Sequence, residues 1–359
     1  MFKHPKVFKF LRPVLIPFSW GYSSFMRIRR WKYESGILKS WDPPVYCISI
    51  GNLVLGGTGK TSLCVWFLNW LRKKGFKPVL LTRGYGAKPF NLPFLVNKDS
   101  DVNQSGDEPL MVALKCPSDV YVVVDPNRVR GGKWAIENLR PDVFVLDDGF
   151  QHLRIKRDLD IILLSKRDLN KREDCVLPAG TRRERWDTLK KADVFLINLY
   201  PDEFLCFKKM LNSFYSYFNI PVFSFYLTIP SLIQITYWKS FSLSCFKGQK
   251  YILISGLADP QKFETTAKKF LGPRCVRHFV FPDHHNFTLK DWQKVKRYAL
   301  KNRCELIICS LKDGVKLKNI ADDSLFALDF DIKFGPFIGT DLSFSKWLEK
   351  HLTFFDRKM

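Results

Sequence analysis

The run Gly51-Asn-Leu-Val-Leu-Gly-Gly-Thr-Gly-Lys-Thr-Ser62 ends in a glycine-rich turn followed by a lysine and two hydroxyl residues. That set suits a polyphosphate. Gly56, Gly57 and Gly59 let backbone N–H groups approach phosphate oxygens, Lys60 reaches the β and γ phosphates, and Thr61 can ligate Mg2+ at a helix N-terminus. Residues 56–62, with Thr58 and Ser62 completing the turn, are therefore the candidate ATP-binding segment. Val54 stands where the strict G-x-x-x-x-G-K-[ST] pattern has its first glycine, so the segment is a variant of that pattern. Acids that serve such a loop lie at the end of a neighbouring strand, and Val143-Phe-Val-Leu-Asp-Asp148 supplies two, either of which can hold a hydrated magnesium ion.

A kinase also needs a group that accepts the proton of its acceptor hydroxyl. Gly106-Asp-Glu-Pro109 reads either as a helix start, with Asp107 as cap and Pro109 in the first turn, or as a catalytic acid turn. Phe281-Pro-Asp-His-His-Asn286 offers a histidine pair that is either structural or catalytic. Arg83, Arg128 and Arg183 follow apolar runs in turn-like segments. There they are placed to clamp phosphates, or they are solvated surface charge in a basic protein.

The elements that must position these groups show in the apolar pattern. Strands are expected at Val45–Ile50, Pro78–Thr82, Val120–Val124, Val143–Leu146, Leu159–Leu164 and Val194–Leu199, and a helix at Thr61–Lys74. Each strand is too apolar to be half exposed, as in a parallel sheet covered on both faces. A second α/β series starts at Tyr251. The extended segments Pro221–Trp238 and Ser324–Phe334 are expected to pair as a two-stranded bridge, and Asp341–Phe355 to form a closing helix. The expected fold is thus α/β, with two α/β/α sandwich domains. The larger, N-terminal one is P-loop NTPase-like with a mostly parallel sheet, and a two-stranded β linker joins it to the smaller. The divisions are 1–32, 33–220, 221–249, 250–323 and 324–359.

The 359 residues carry a formal charge of +23, which suits polyanionic partners: nucleic acid, an anionic bilayer or phosphorylated small molecules. Nine scattered cysteines include no C-x-x-C and no zinc-ligand spacing, so reduced cytosolic thiols are expected. Residues 14–26 are apolar and aromatic between basic flanks, interrupted by Pro17, and too short to span a bilayer. They read as an interfacial segment or as a helix packed on its own domain.

Taken together, the motifs resemble the tetraacyldisaccharide 4′-kinase family. In family order they are G-N-L-x-x-G-G-T-G-K-T at 51–61, T-R-G-Y-G at 82–86, G-D-E-P at 106–109, L-D-D-G-F-Q-H at 146–152, L-P-A-G-x-x-R-E at 177–184 and F-P-D-H-H at 281–285. The resemblance implies phosphoryl transfer from MgATP to the 4′-hydroxyl of an acylated disaccharide 1-phosphate, giving a product like lipid IVA. It implies Asp107 as base with His284 as its partner, and Lys60, Arg128 and Arg183 near the transferring phosphate. Thr61, Glu108, Asp147 and Asp148 fall on metal-site or neighbouring positions. It also implies a peripheral protein on the cytoplasmic face of the bacterial inner membrane, docked on anionic lipid through residues 7–32, with no nucleic-acid or protein partner. Because Asp107 and His284 lie in different domains, closure over both substrates is expected to assemble the pair. One departure stands out: Ser310-Leu-Lys-Asp-Gly-Val-Lys316 has Leu311 where the family typically has glutamate.

A nucleic-acid-dependent ATPase would instead show DNA- or RNA-stimulated hydrolysis with steep salt dependence. A GTPase would need N-K-x-D, where this chain has Phe195-Leu-Ile-Asn-Leu-Tyr200.

Overall fold

The computed structural model describes residues 5–54, 59–171 and 175–352, with side chains from residue 12 onward. The chain opens with α1 (Pro5–Glu34) and continues through β1 (Tyr46–Asn52), α2 (Lys60–Lys73), β2 (Pro78–Thr82), β3 (Phe94–Val96), α3 (Val102–Ser105) and α4 (Asp107–Lys115). Next come β4 (Tyr121–Val124), α5 (Arg128–Leu139), β5 (Val143–Asp147), β6 (Leu159–Leu164), β7 (Val194–Asn198) and α6 (Pro201–Phe218). The long β8 (Val222–Gln234) and short β9 (Lys239–Ser242) lead to β10 (Tyr251–Ser255), α7 (Pro260–Leu271), β11 (Cys275–Val280) and α8 (Leu289–Lys301). The chain closes with β12 (Leu306–Ser310), α9 (Leu311–Leu317), β13 (Leu325–Ile338) and α10 (Phe344–Leu352). The expected strands fall within a residue or two of these bounds.

The core explains why the strands read as continuous apolar runs. On one face of the first half-sheet Ile48 and Ile50 pack with Leu63, Phe67 and Leu71 of α2; on the other, Phe144 and Leu146 pack with Ala135 of α5. The second half repeats the scheme. Ile252 and Ile254 meet Trp292 and Val295 of α8, while Tyr251 and Leu253 meet Phe263 and Leu271 of α7. Both faces are covered along β1, β5 and β10, so these strands need no polar side.

The two halves are not separate sheets. Strand order runs β11-β10-β12-β13-β8-β7-β6-β1-β5-β2-β4-β3, with β9 beside β8. The expected bridge, β8 with β13, is antiparallel, and each of its strands also pairs parallel with a strand of one half. β7 pairs with β8 at Val222–Phe225, whereas β12 pairs with the Leu325–Leu328 end of β13, which faces Leu232–Gln234. The stretch from Phe225 to Leu232 spans about 23 Å at ~3.3 Å per residue. One half is therefore displaced along the ribbon from the other, and its parallel strands run the opposite way. The carboxyl ends of both sets of strands consequently face each other across a cleft, which is where open α/β sheets hold their ligands.

Helix α1 runs through Pro13 and through Pro17, which was expected to interrupt the apolar run, and both prolines are exposed. Its buried face is polar: Ser19 Oγ accepts the Ala179 N–H at 2.9 Å, and Arg30 pairs with buried Glu184 at 2.8 Å. Val14, Phe18, Phe25 and Ile28, at spacings of one helical face, are each more than half exposed, as are Trp20 and Trp31. Among the described residues no helix is long and apolar enough to cross a membrane.

Candidate active site

Strand β1 lies between β6 and β5, where the direction of strand succession reverses, and α2 starts just beyond its carboxyl end. Gly59 turns the chain into that helix at φ 95°, a left-handed conformation that favours glycine. Gly56, Gly57 and Thr58 lie outside the described residues. Lys60 donates to Asn52 Oδ1 at 2.9 Å and to Asp148 Oδ1 at 3.0 Å. Asp148 also accepts from the Arg183 guanidinium. Burial pushes the Asp148 carboxyl up, but Lys60 and Arg183 outweigh it and hold it below the ordinary range. Asp148 is thus an ion-pair partner of both the loop lysine and Arg183.

Val54 has a structural reason. It forms an antiparallel bridge with Arg182, and the Arg183 N–H donates to the Leu53 carbonyl at 2.8 Å. A buried β-branched residue suits that extended pairing better than glycine does. The same pairing carries Arg183 to Asp148, so the variant half of the loop docks the L-P-A-G-x-x-R-E segment onto the site.

Beside Lys60, Thr61 donates to Glu108 Oε2 at 3.2 Å and Thr82 donates to Asp147 Oδ2 at 3.0 Å. Thr61, Thr82, Glu108 and Asp147 line a cavity of about 10 Å³, roughly one water in size. Burial and then the neighbouring Glu108 charge push the Asp147 carboxyl up, against the pull of Lys60. A hydroxyl and two carboxylates are hard oxygen donors, and the set fits Mg2+. Arg128 reaches the same strand end from behind, donating to the Asp147 carbonyl at 3.0 Å, and is itself buried.

From the facing half-sheet, the turn after β11 delivers His284. It sits at φ 58°, its N–H held by the Gly256 carbonyl at 3.1 Å, and its Nδ1 lies 3.2 Å from Asp107 Oδ2. Asp107 does not cap α4 as a helix start would suggest; Gly106 takes that position, and the Asp107 carboxylate accepts the Glu108 N–H at 3.0 Å. The Asp107–His284 pair is thus in contact across the two half-sheets. His285, by contrast, pairs with Asp291 of the α8 capping box and is structural.

Sequence reasoning assigned no role to Lys312 and Lys316. One helical turn apart on α9, they lie 3.9 and 3.6 Å from Asp107 Oδ2, and Lys312 Nζ is 3.0 Å from His284 Nε2. Their i, i+4 spacing was the available signal. Asp313 braces the region, accepting from the Gly256 N–H and the Ser310 hydroxyl. Burial raises its carboxyl against the pull of Ser310 and Lys316. Leu311, the departure from the family pattern, is buried and lines the large cavity. A second Ser–His–Glu row, Ser255–His278–Glu264 at 2.7 and 3.1 Å, is sealed from substrate because Ser255 has no exposed surface.

Between the facing strand ends lies a cavity of about 560 Å³, lined by Lys60, Thr61, Ser62 and Glu108 on one side and by Asp259, Lys262, Asp283 and Lys312 on the other. Its volume is that of a nucleotide-sized ligand site. A loop lysine and threonine at a switch point, a carboxylate corner beside them and a facing Asp–His pair define a P-loop phosphotransferase.

Residues 11–353 match the sequence model of the tetraacyldisaccharide-1-P 4′-kinase family. The tetraacyldisaccharide 4′-kinase of Nitratidesulfovibrio vulgaris is 38% identical over 340 residues, covering 95% of this chain and 94% of that protein. That of Oleidesulfovibrio alaskensis is 40% identical over 326 residues, covering 91% and 89%. A crystal structure of the "apo" form of LpxK from Aquifex aeolicus in complex with ATP superposes with a TM-score of 0.77 at 31% identity, covering 96% of this chain and 99% of that one. The chain belongs to the tetraacyldisaccharide-1-P 4′-kinase family and is a phosphotransferase.

Proposed function

We propose that this chain transfers the γ-phosphate of ATP to the 4′-hydroxyl of a tetraacyldisaccharide 1-phosphate, giving lipid IVA for lipid A biosynthesis. The observation that carries the site assignment is the Asp107–His284 contact beside the cavity lined by Lys60, Thr61 and Glu108. Lys60 binds the β and γ phosphates, releasing Asp148, and residues 56–62 cradle them. Arg183 shares the anion that Lys60 leaves and neutralises the phosphate side of the site; Arg128 supports the Asp147 strand end. Asp107, oriented by His284, accepts the hydroxyl proton as the acceptor oxygen bonds to phosphorus and the bond to the ADP oxygen breaks. Thr61, Glu108 and Asp147 would hold Mg2+, which supplies charge neutralisation on the phosphates.

The acceptor is a lipid, so the protein must work at a bilayer. The exposed apolar face of α1 and the excess of basic residues support a peripheral protein on the anionic cytoplasmic face of the inner membrane. On this reading residues 1–32 are the membrane segment, 33–220 the kinase domain, 221–249 with 324–359 the ribbon and closing helix, and 250–323 the smaller domain.

The test uses ATP labelled at the γ phosphate with an acylated disaccharide 1-phosphate. Label is expected in lipid with the native chain and is lost with Lys60→Ala; lipid left unlabelled by the native chain would refute the kinase reading. An unchanged single-turnover rate in His284→Ala would refute the dyad alone.

A further inference from the structure

We propose that Lys312 is a positioning residue that fixes His284 in the tautomer whose Nδ1 donates to Asp107. This rests on the kinase reading above and concerns the same site.

An ammonium group has three donors and no acceptor, so its contact with His284 Nε2 at 3.0 Å requires that nitrogen to present its lone pair. The ring hydrogen is then on Nδ1, 3.2 Å from Asp107 Oδ2, where it meets an acceptor. Only this one arrangement satisfies both contacts. The other neutral tautomer sets two donors against each other at Nε2 and two acceptors at Nδ1. An imidazolium would satisfy Asp107 but would point a donor at Lys312.

The groups facing the ring come from three elements. Asp107 comes from α4, Lys312 from α9, and the Tyr85 ring lies 5.7 Å away in the loop after β2. Lys312 is fixed in turn by Glu108 Oε1 at 3.7 Å and Asp107 Oδ2 at 3.9 Å, while Lys316 sits 3.6 Å from that same Asp107 oxygen. A ring fixed this way holds the Asp107 carboxylate in one orientation through the Nδ1–H contact. Lys312 therefore acts through His284 and not on the acceptor hydroxyl.

The competing role for Lys312, a direct nucleotide-phosphate ligand, follows from its place on the cavity wall. One experiment separates them. Imidazole nitrogen shifts are measured by 15N NMR on the full-length protein at pH 7.5, with His284 assigned by its loss in His284→Ala. Steady-state kinetics are measured alongside. The native chain is expected to show one protonated and one unprotonated His284 nitrogen. In Lys312→Met the two nitrogen signals are expected to lose that fixed tautomer pattern, and kcat to fall on the order of tenfold with KM for ATP held, part of the 10²–10⁴ that general acid–base catalysis supplies. Lys312→Arg, which keeps a donor, should stay near native in both readouts. If Lys312→Met keeps the native nitrogen pattern, or loses it without loss of kcat, the proposal fails. A rise in KM for ATP with the pattern unchanged assigns the lysine to phosphate binding instead. The NMR arm needs no transfer to lipid, so failure of the kinase reading would show separately as unlabelled lipid in the native chain.

Discussion

His152 closes the L-D-D-G-F-Q-H motif, and its protonation provides a stringent test of the site's electrostatics. Burial, and then Arg128, Arg154, Arg157 and Arg29, lower its pKa from 6.5 to about 3. Above pH 6.5 neither the folded nor the unfolded chain carries this proton. Between 6.5 and about 3 only the unfolded chain does, so stability falls as pH falls through that window. The slope is about 1.4 kcal/mol per pH unit, hence about 2 kcal/mol lost from this residue by pH 5. His152→Gln removes the effect while keeping a polar side chain. Asp147 and Glu184, whose carboxyls burial holds up, gain stability as pH falls, and they cancel in the difference between native chain and variant. Urea midpoints at pH 7.5, 6 and 5 should therefore converge or cross in the variant's favour as pH falls. A constant difference across the three, or a native His152 resonance titrating near pH 6, would refute this account of the arginine cluster.

Other expectations are more local. Arg30→Met leaves Glu184 buried without its guanidinium and should cost about 3–5 kcal/mol, seen as a lower thermal midpoint; adding Glu184→Gln should recover part of it. Gly51→Ala puts a methyl 2.6 Å from Phe150 Cβ, a clash expected to cost about 1–3 kcal/mol in chemical denaturation. Asp148→Asn removes the anion shared by Lys60 and Arg183, and single-turnover transfer should fall by about 10²-fold. With Asp148 held low, its ion pairs are fully present above pH 3.8 and are lost only as pH falls through the lower folded value. Trp20→Asp with Trp31→Asp should weaken flotation with anionic vesicles while leaving the thermal midpoint near native, since both rings are exposed.

Strand positions were legible because a sheet covered on both faces demands apolar residues at nearly every position, and few other elements do. The Gly59–Thr61 turn into α2 was legible because glycine, lysine and threonine have few other reasons to occur in that order. What could not be read was orientation. Asp147 and Asp148 are adjacent and chemically identical, yet the positive φ of Asp148 turns it onto Lys60 and Arg183 while Asp147 faces Thr82. His284 and His285 are likewise neighbours, divided by which one Asp291 takes. Lys312 escaped notice because a lysine's meaning lies in what its long stem reaches, and here that is a histidine 28 positions away in sequence.

The β8–β13 ribbon has a mechanical consequence. A flexible tether would let the two halves pivot freely, but here they share one hydrogen-bonded ladder, so sideways opening would rupture pairs. The compliant coordinates are twist and bend, and the register shifts between Asp329 and Asp331 and between Phe334 and Phe337 mark where the ladder is softest. Any change in the spacing between Asp107 and His284 must therefore be taken up as twist or bend of this ribbon.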